Sequence, residues 1–299
     1  MPTTSFYRPL WNDFLTRSHR LASGGPAKDS VDLTIRWQLD GTKPFCEQPL
    51  SHANLQLPEL YSGAPWRPVA QRPQSIGDRW IAFVTLNPSL TEDESFPRVS
   101  HLERLGVDQL VTYFDERFAP NYAGLPLRRG RHQGSVRVYA ERTGRPRAVP
   151  TWARLDNILR AALHGHEVPA PLGDVAAIVD AVPYKFRRWG AVDKATKTEL
   201  LAASLPGHLA FLATVRPSLV VLLGAETRTL LSAMPLLDDP ERADGGGIRE
   251  AGRRRLGTSD AEAEVLVCHH PISVAFAQAG TGTRLSARLR THLLGGAVR

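Results

Sequence analysis

A short apolar run that breaks sharply into a polar loop is the feature that most constrains this chain. Residues 80–86 read WIAFVTL, and Asn87-Pro88 then opens a polar segment. The run is typical of a strand buried in a parallel sheet, and the Asn-Pro pair signals a turn. Because open α/β sheets bind ligands at the carboxyl ends of their strands, this loop is a candidate functional site.

Three later stretches repeat the pattern of an apolar run followed by a polar turn. The runs cover residues 176–179, 218–223 and 265–268, and they end at Asp180, Gly224 and His269-His270. Together the four runs predict an α/β fold, a three-layer α/β/α sandwich around a central four-stranded, mostly parallel sheet. Gly224 opens a turn whose main-chain amides can face an anion.

The other segments predict the organisation around this sheet. Helical periodicity is present at 151–163, with Thr151 as N-cap, at 197–215 and 283–294, and weakly at 11–21, whereas residues 32–39 alternate like a short strand. We predict an N-terminal extension at 1–78 packed on the core and an α/β domain at 79–299. This domain carries a basic insertion at about 98–150 and a mobile, basic loop at 235–260.

The composition of the chain indicates which kinds of partner it favours and which metal or cluster sites it excludes. The net charge of +7 fits a polyanionic partner, usually nucleic acid, although basic surfaces also occur without one. Cys46 and Cys268 are too few for a four-cysteine cluster or zinc site. Without a long apolar span or an N-terminal hydrophobic signal, the expectation is a cytoplasmic protein with no membrane partner.

Four of these stretches resemble the motifs of the uracil-DNA glycosylase superfamily. They are TLNPS at 85–89, IVDAVP at 178–183, VVLLGAET at 220–227 and HPIS at 270–273. The resemblance extends from Trp80 to the C-terminus and rests on the order and strand context of the motifs. It implies a uracil-DNA glycosylase-like fold and a monomeric, monofunctional DNA glycosylase that needs no cofactor or metal.

The resemblance also assigns roles within the site. Asn87 matches the residue that positions the attacking water, and His270 matches the histidine that hydrogen-bonds the base as negative charge develops on it. Asp180 occupies the base-reading position, and Phe96 is placed to stack on the flipped base. The carboxylates near Asp93 are read mainly as a solvated acidic turn.

Further residues are candidates for contacts with DNA. They are Ser273 and the basic residues Lys185, Arg187 and Arg188 for phosphates, Val274 or Phe276 as a wedge that fills the gap left by the base, and Arg131 within the arginine-rich insertion. Core packing is the competing interpretation of Phe276. A solvated loop with a β-hairpin is the competing interpretation of the insertion.

Two departures from the family pattern suggest the base. The family commonly has Asn where this chain has Asp180, and an ionised carboxylate only accepts hydrogen bonds, which suits the amino group of cytosine. Ser89 stands where uracil-specific members carry a bulky Tyr, which leaves the C5 side of the base open. The expected substrate is therefore a C5-modified cytosine, such as glucosylated hydroxymethylcytosine in phage DNA, removed in antiviral defence to leave an abasic site.

Three alternatives stay open at the level of sequence. The chain can be a repair glycosylase for uracil or a mispaired base. It can be a DNA-binding sensor without catalysis, since Thr85 replaces the glycine of the first motif. It can also be a different α/β enzyme that acts on nucleotides.

Overall fold

The computed structural model describes residues 2–42, 48–62, 79–86, 97–122, 150–166, 168, 171–186, 188–238, 247–271 and 273–295. Within them the helices are α1 (Pro2–Ala22), α2 (Ser30–Asp40), α3 (Val99–Tyr122), α4 (Pro150–Ala162), α5 (Pro171–Asp174), α6 (Lys194–Val215), α7 (Val274–Gln278) and α8 (Thr281–Leu294). The strands are β1 (Tyr61–Ser62), β2 (Ile81–Thr85), β3 (Ala176–Asp180), β4 (Leu219–Leu223), β5 (Ile248–Arg255) and β6 (Glu262–Cys268). Short 3₁₀ helices cover His52–Asn54, Trp189–Ala191 and Glu226–Ala233.

The chain divides into two compact units that are interleaved along the sequence. The first comprises Met1–Ser62, Asn87–Asp115 and Asp180–Phe211, and the second comprises Gly63–Leu86, Glu116–Val179 and Leu212–Arg299. This division does not coincide with the boundary predicted at residue 78, because the N-terminal helices share a unit with two later segments.

The second unit contains a mostly parallel, open sheet. Its strands are ordered β3-β2-β4-β6-β5. β2 pairs with β4 and β4 with β6 in parallel, whereas β5 runs antiparallel to β6. Every residue of β2, β3 and β4 is buried, as in strands that are covered on both faces. The predicted α/β class and all four predicted strands are confirmed, and β5 makes the sheet five-stranded.

Strand β5 corrects the prediction of a mobile loop at 235–260. Its sequence, IREAGRRR, has too many charges to read as a buried strand, but it lies outermost in the sheet order, beyond β6. Its arginines have partners on neighbouring segments: Arg253 pairs with Glu262 at 2.7 Å, and Arg254 donates to the Met234 carbonyl at 2.7 Å. Charged edge strands of this type also discourage pairing with other chains.

Helix α2 corrects the strand predicted at 32–39. The Asp29 side chain caps the helix by accepting from the Asp32 N–H, and Gly41 ends it in the left-handed conformation, at φ 67°. The buried positions recur at helical spacing; they include Val31, Thr34, Ile35 and Gln38. The alternation that suggested a strand is therefore incidental to a capped helix. The helices predicted at 11–21, 151–163, 197–215 and 283–294 are confirmed, with α4 beginning at Pro150.

An aromatic core holds the first unit together. The Tyr61 and Phe211 rings stack with their centroids 5.8 Å apart, and Tyr7 contacts both Tyr61 and Trp11. The Trp11 indole N–H donates to the Pro58 carbonyl at 2.7 Å, so this buried polar group is satisfied. The N-terminal helix is thus an integral part of its unit.

Helix α6 is the one helix of the described ranges that is long and apolar enough to cross a membrane. Its 22 residues have a window of mean hydropathy 1.2. Core helices of soluble proteins meet the same criterion, and Leu200, His208 and Leu212 of α6 are fully buried. The helix is therefore weak evidence for a membrane span.

We predict that Gly41→Ala destabilises the protein more than Gly24→Ala does. Both glycines have positive φ, so each alanine costs about 1–2 kcal/mol of backbone strain. Only at Gly41 does the new Cβ meet backbone atoms, including the Gln48 carbonyl carbon at 2.7 Å, whereas nothing lies within 4 Å at Gly24. The extra clash should lower the free energy of unfolding of Gly41→Ala by about 1–3 kcal/mol more than that of Gly24→Ala. Urea unfolding of the two variants measures the difference, and equal unfolding midpoints would contradict the prediction.

Candidate functional site

The carboxyl ends of β4 and β6 lie side by side in the second unit. Gly224 follows β4 with φ 102°, and its N–H donates to the Cys268 carbonyl at the end of β6 at 2.9 Å. A Cβ on Gly224 would stand 3.7 Å from the Cβ of His270. The glycine therefore lets the turn after β4 pass close to the loop that carries His270.

His270 is held in this loop by main-chain contacts. Its carbonyl accepts from the Ser273 N–H at 2.8 Å, and the next carbonyl, of Pro271, accepts from the Arg154 guanidinium of α4. The His270 side chain is half-buried, and burial lowers its pKa below the ordinary value of 6.5. The imidazole is therefore neutral near pH 7, where it can donate one hydrogen bond and accept another.

The two other candidates of the second motif have structural contacts. The Ser273 hydroxyl caps helix α7 by accepting from the Phe276 N–H at 3.1 Å, and it retains its proton for donation to a phosphate. Phe276 is only 5% exposed, and its ring lies 3.2 Å from where a Cβ on Gly282 would be. This packing favours the core interpretation of Phe276 over the wedge.

Lys185 lies in the interior of the first unit. Its ammonium group pairs with the Glu59 carboxylate at 2.5 Å, and both side chains are fully buried. Burial lowers the pKa of Lys185 and raises the pKa of Glu59, while the contact between them favours the charged forms. The expectation that Lys185 holds a DNA phosphate at the surface does not fit this position, whereas Arg188 is exposed and keeps that possibility.

Asp180 belongs to the same buried polar region of the first unit. It is 1% exposed, its N–H donates to the Leu60 carbonyl at 2.9 Å, and its charge raises the pKa of Lys185. His208 is fully buried, and burial lowers its pKa to about 4, so it is neutral. Asp180, the residue that the sequence assigns to base reading, is thus a buried carboxylate. Its negative charge favours the protonated form of the buried Lys185.

The other candidate residues lie outside the described residues. They are Asn87, Ser89, Phe96, Arg131 and Arg187, together with the acidic turn at Asp93. Of the first motif, Thr85 and Leu86 are described, and Thr85 is a buried strand residue, 7% exposed.

No family model matches the chain, and no curated protein matches it. The resemblance to the uracil-DNA glycosylase superfamily therefore rests on the four motifs alone and stays a prediction.

A Ser-His-Glu chain that sequence reasoning missed joins helix α8 to the sheet. Ser218 Oγ lies 2.8 Å from His292 Nε2, and His292 Nδ1 lies 3.1 Å from the Glu264 carboxylate. The hydrogen bond with His292 lowers the pKa of Glu264. The order matches a hydrolase triad, but Ser218 Oγ also accepts from the Trp80 N–H and lies 3.0 Å from its carbonyl. The Ser218 hydroxyl is occupied by main-chain hydrogen bonds just before β4, so the three residues have a structural role and connect α8 to the sheet.

We predict that Lys185→Met lowers the free energy of unfolding by about 3–5 kcal/mol, because it leaves the Glu59 carboxylate buried and unpaired. The double variant Glu59→Leu/Lys185→Met should recover most of this loss, since an apolar pair needs no compensation. Arg188→Met, at an exposed position nearby in sequence, should change stability by about 0.5 kcal/mol or less. Urea unfolding measures all three, and a fully stable Lys185→Met protein would contradict the prediction.

Proposed function

We propose that this protein is a monofunctional DNA glycosylase that hydrolyses the N-glycosidic bond of a flipped-out base. The observation that carries the proposal is His270: a half-buried imidazole, neutral because burial lowers its pKa, directly after the parallel strand β6. A neutral donor suffices for the departing base, since negative charge develops on it without full proton transfer. The open α/β sheet, mostly parallel, is compatible with a uracil-DNA glycosylase-like fold.

The proposed mechanism separates charge between sugar and base. As the bond breaks, positive charge builds on the deoxyribose and negative charge on the base, which accepts a hydrogen bond from His270. Asn87 positions the water that attacks the sugar; its amide does not titrate, so binding energy and orientation supply most of the acceleration. The overall charge of +7 favours binding to the DNA backbone.

The proposed substrate is a C5-modified cytosine in foreign DNA, such as glucosylated hydroxymethylcytosine, with a role in antiviral defence. The carboxylate of Asp180 accepts from the cytosine amino group, and it would repel the O4 of uracil. The small Ser89 leaves room at C5.

The decisive experiment is to incubate the protein with two DNAs, one with glucosylated hydroxymethylcytosine and one with uracil, and to identify released bases by mass spectrometry. We expect release of the modified cytosine alone. Release of uracil alone would indicate a uracil-repair glycosylase and would overturn the role of Asp180 in reading the base. An Asp180→Asn enzyme that kept full preference for the cytosine-type base would also reject that role.

We predict that His270→Ala and Asn87→Ala each reduce base release by about 10²-fold or more while DNA binding is unchanged, since each removes a contact strengthened in the transition state. His269→Ala is the matched control, one position away and without an assigned role, and should keep its activity. Activity of the wild type should be constant from about pH 7 to 9, because burial lowers the pKa of His270 and the imidazole stays neutral over this range. Rate loss in all three variants alike would contradict the assignment.

A DNA-binding sensor without catalysis is the second candidate. Thr85, a buried strand residue, stands where the first motif of the family has a glycine. Formation of abasic sites distinguishes the two functions: a sensor would bind the modified DNA and leave every base attached.

A further inference from the structure

Two histidines and a glutamate from three separate elements converge in the first unit. His19 lies near the end of α1, His52 begins the 3₁₀ helix His52–Asn54, and Glu103 lies in the first turns of α3. Their ligand atoms all lie within 4.8 Å of one another. His19 Nε2 is 3.4 Å from the Glu103 carboxylate, and the two imidazole rings are 4.4 Å apart between centroids.

Neighbouring hydrogen bonds select the nitrogen of His52 that has a free lone pair. Ser18 Oγ donates its only proton to the Leu15 carbonyl at 2.8 Å, so toward His52 Nε2, at 3.0 Å, it can only accept. With the Ser18 proton assigned to the Leu15 carbonyl, we assign the His52 proton to Nε2 and the lone pair to Nδ1. Metal-binding histidines typically donate their second ring N–H in this way, which fixes the orientation of the ring.

The electrostatics of the cluster favour a cation other than a proton. One divalent cation between the three groups would interact favourably with the carboxylate and both lone pairs, whereas two imidazolium ions this close would repel each other.

The distances match a tetrahedral site. Ligands about 2.0–2.1 Å from zinc lie about 3.4 Å from each other, which is the separation of His19 and Glu103. The widest separation of the cluster, at most 4.8 Å, needs closure by about 1.4 Å, which rotation of the exposed His19 and Glu103 side chains can supply. Two nitrogens and one carboxylate are a zinc ligand set, whereas calcium and magnesium prefer oxygen alone.

We propose that His19, His52 and Glu103 bind one Zn²⁺, with Ser18 positioning His52 and water completing the coordination. The ion links α1, the 3₁₀ helix and α3, so its role is to stabilise the first unit. Its ligands do not include any residue assigned to the glycosylase reaction, so the proposal stands or falls independently of the proposed function.

The test is a zinc titration of the full-length chain after treatment with a chelator, followed by isothermal calorimetry. We expect one zinc per chain, with affinity reduced at least about tenfold in His19→Ala and in Glu103→Gln, and about 10–100-fold in Ser18→Ala. His164→Ala is the control, because His164 is an exposed histidine of the second unit. It should bind zinc like the wild type.

A second measurement keeps the proposal testable if a variant is less stable. Without zinc, His19→Ala and Glu103→Gln should unfold at nearly the wild-type urea midpoint, because both side chains are exposed; zinc should raise the midpoint of the wild type and of His164→Ala only. X-ray absorption should give nitrogen and oxygen ligands at about 2.0–2.1 Å. Failure to bind one zinc, equal affinity in His19→Ala and wild type, or loss of binding in His164→Ala would overturn the site.

Discussion

Complete burial of three adjacent strands is the constraint on which the rest of the second unit depends. Because β2, β3 and β4 present no exposed residue on either face, polar side chains cannot lie along them without a large desolvation cost. Polar chemistry is therefore confined to the strand ends, and parallel pairing of β2, β4 and β6 brings those ends to a single edge. The position of His270, two residues beyond the end of β6 and beside the turn at Gly224, follows from this arrangement.

The first unit differs from the second in that charged side chains lie in its interior. Glu59 and Lys185 are fully buried, and Asp180 and His208 share this interior. A buried ion pair contributes little net stability, because the desolvation of two ions offsets most of their attraction. Its stronger effect is on conformation: any arrangement that separates Glu59 from Lys185 leaves a charge unpaired in the interior. The pair thereby ties the segment after β3 to the segment before β1 and orders the surroundings of Asp180.

The histidines of this chain differ in burial and in the charged groups beside them, and these differences determine what each imidazole can do. His208 is fully buried and burial holds it neutral, and partial burial also lowers the pKa of His270. His19 and His52 lie beside the Glu103 carboxylate, where we propose that they bind zinc. Residue type alone did not distinguish these three environments. Burial, neighbouring charge and hydrogen bonding decide which histidine is a packing residue, a hydrogen-bond donor or a ligand.

The sequence by itself determined the α/β class, the four central strands and the loop position of His270, because an apolar run of four to six residues that ends in a polar turn has few other solutions. It also located α4, α6, α8 and the second half of α1, but not α2 or α3, although the caps of α2 at Asp29 and Gly41 are local signals. Only the tertiary structure decided that β5 is a strand, because β6 offers it a partner, and that Lys185 is internal, because Glu59, far away in sequence, is placed against it. Local patterns report the propensity of a segment, whereas burial and charge pairing depend on contacts between segments distant in sequence, which no local pattern contains.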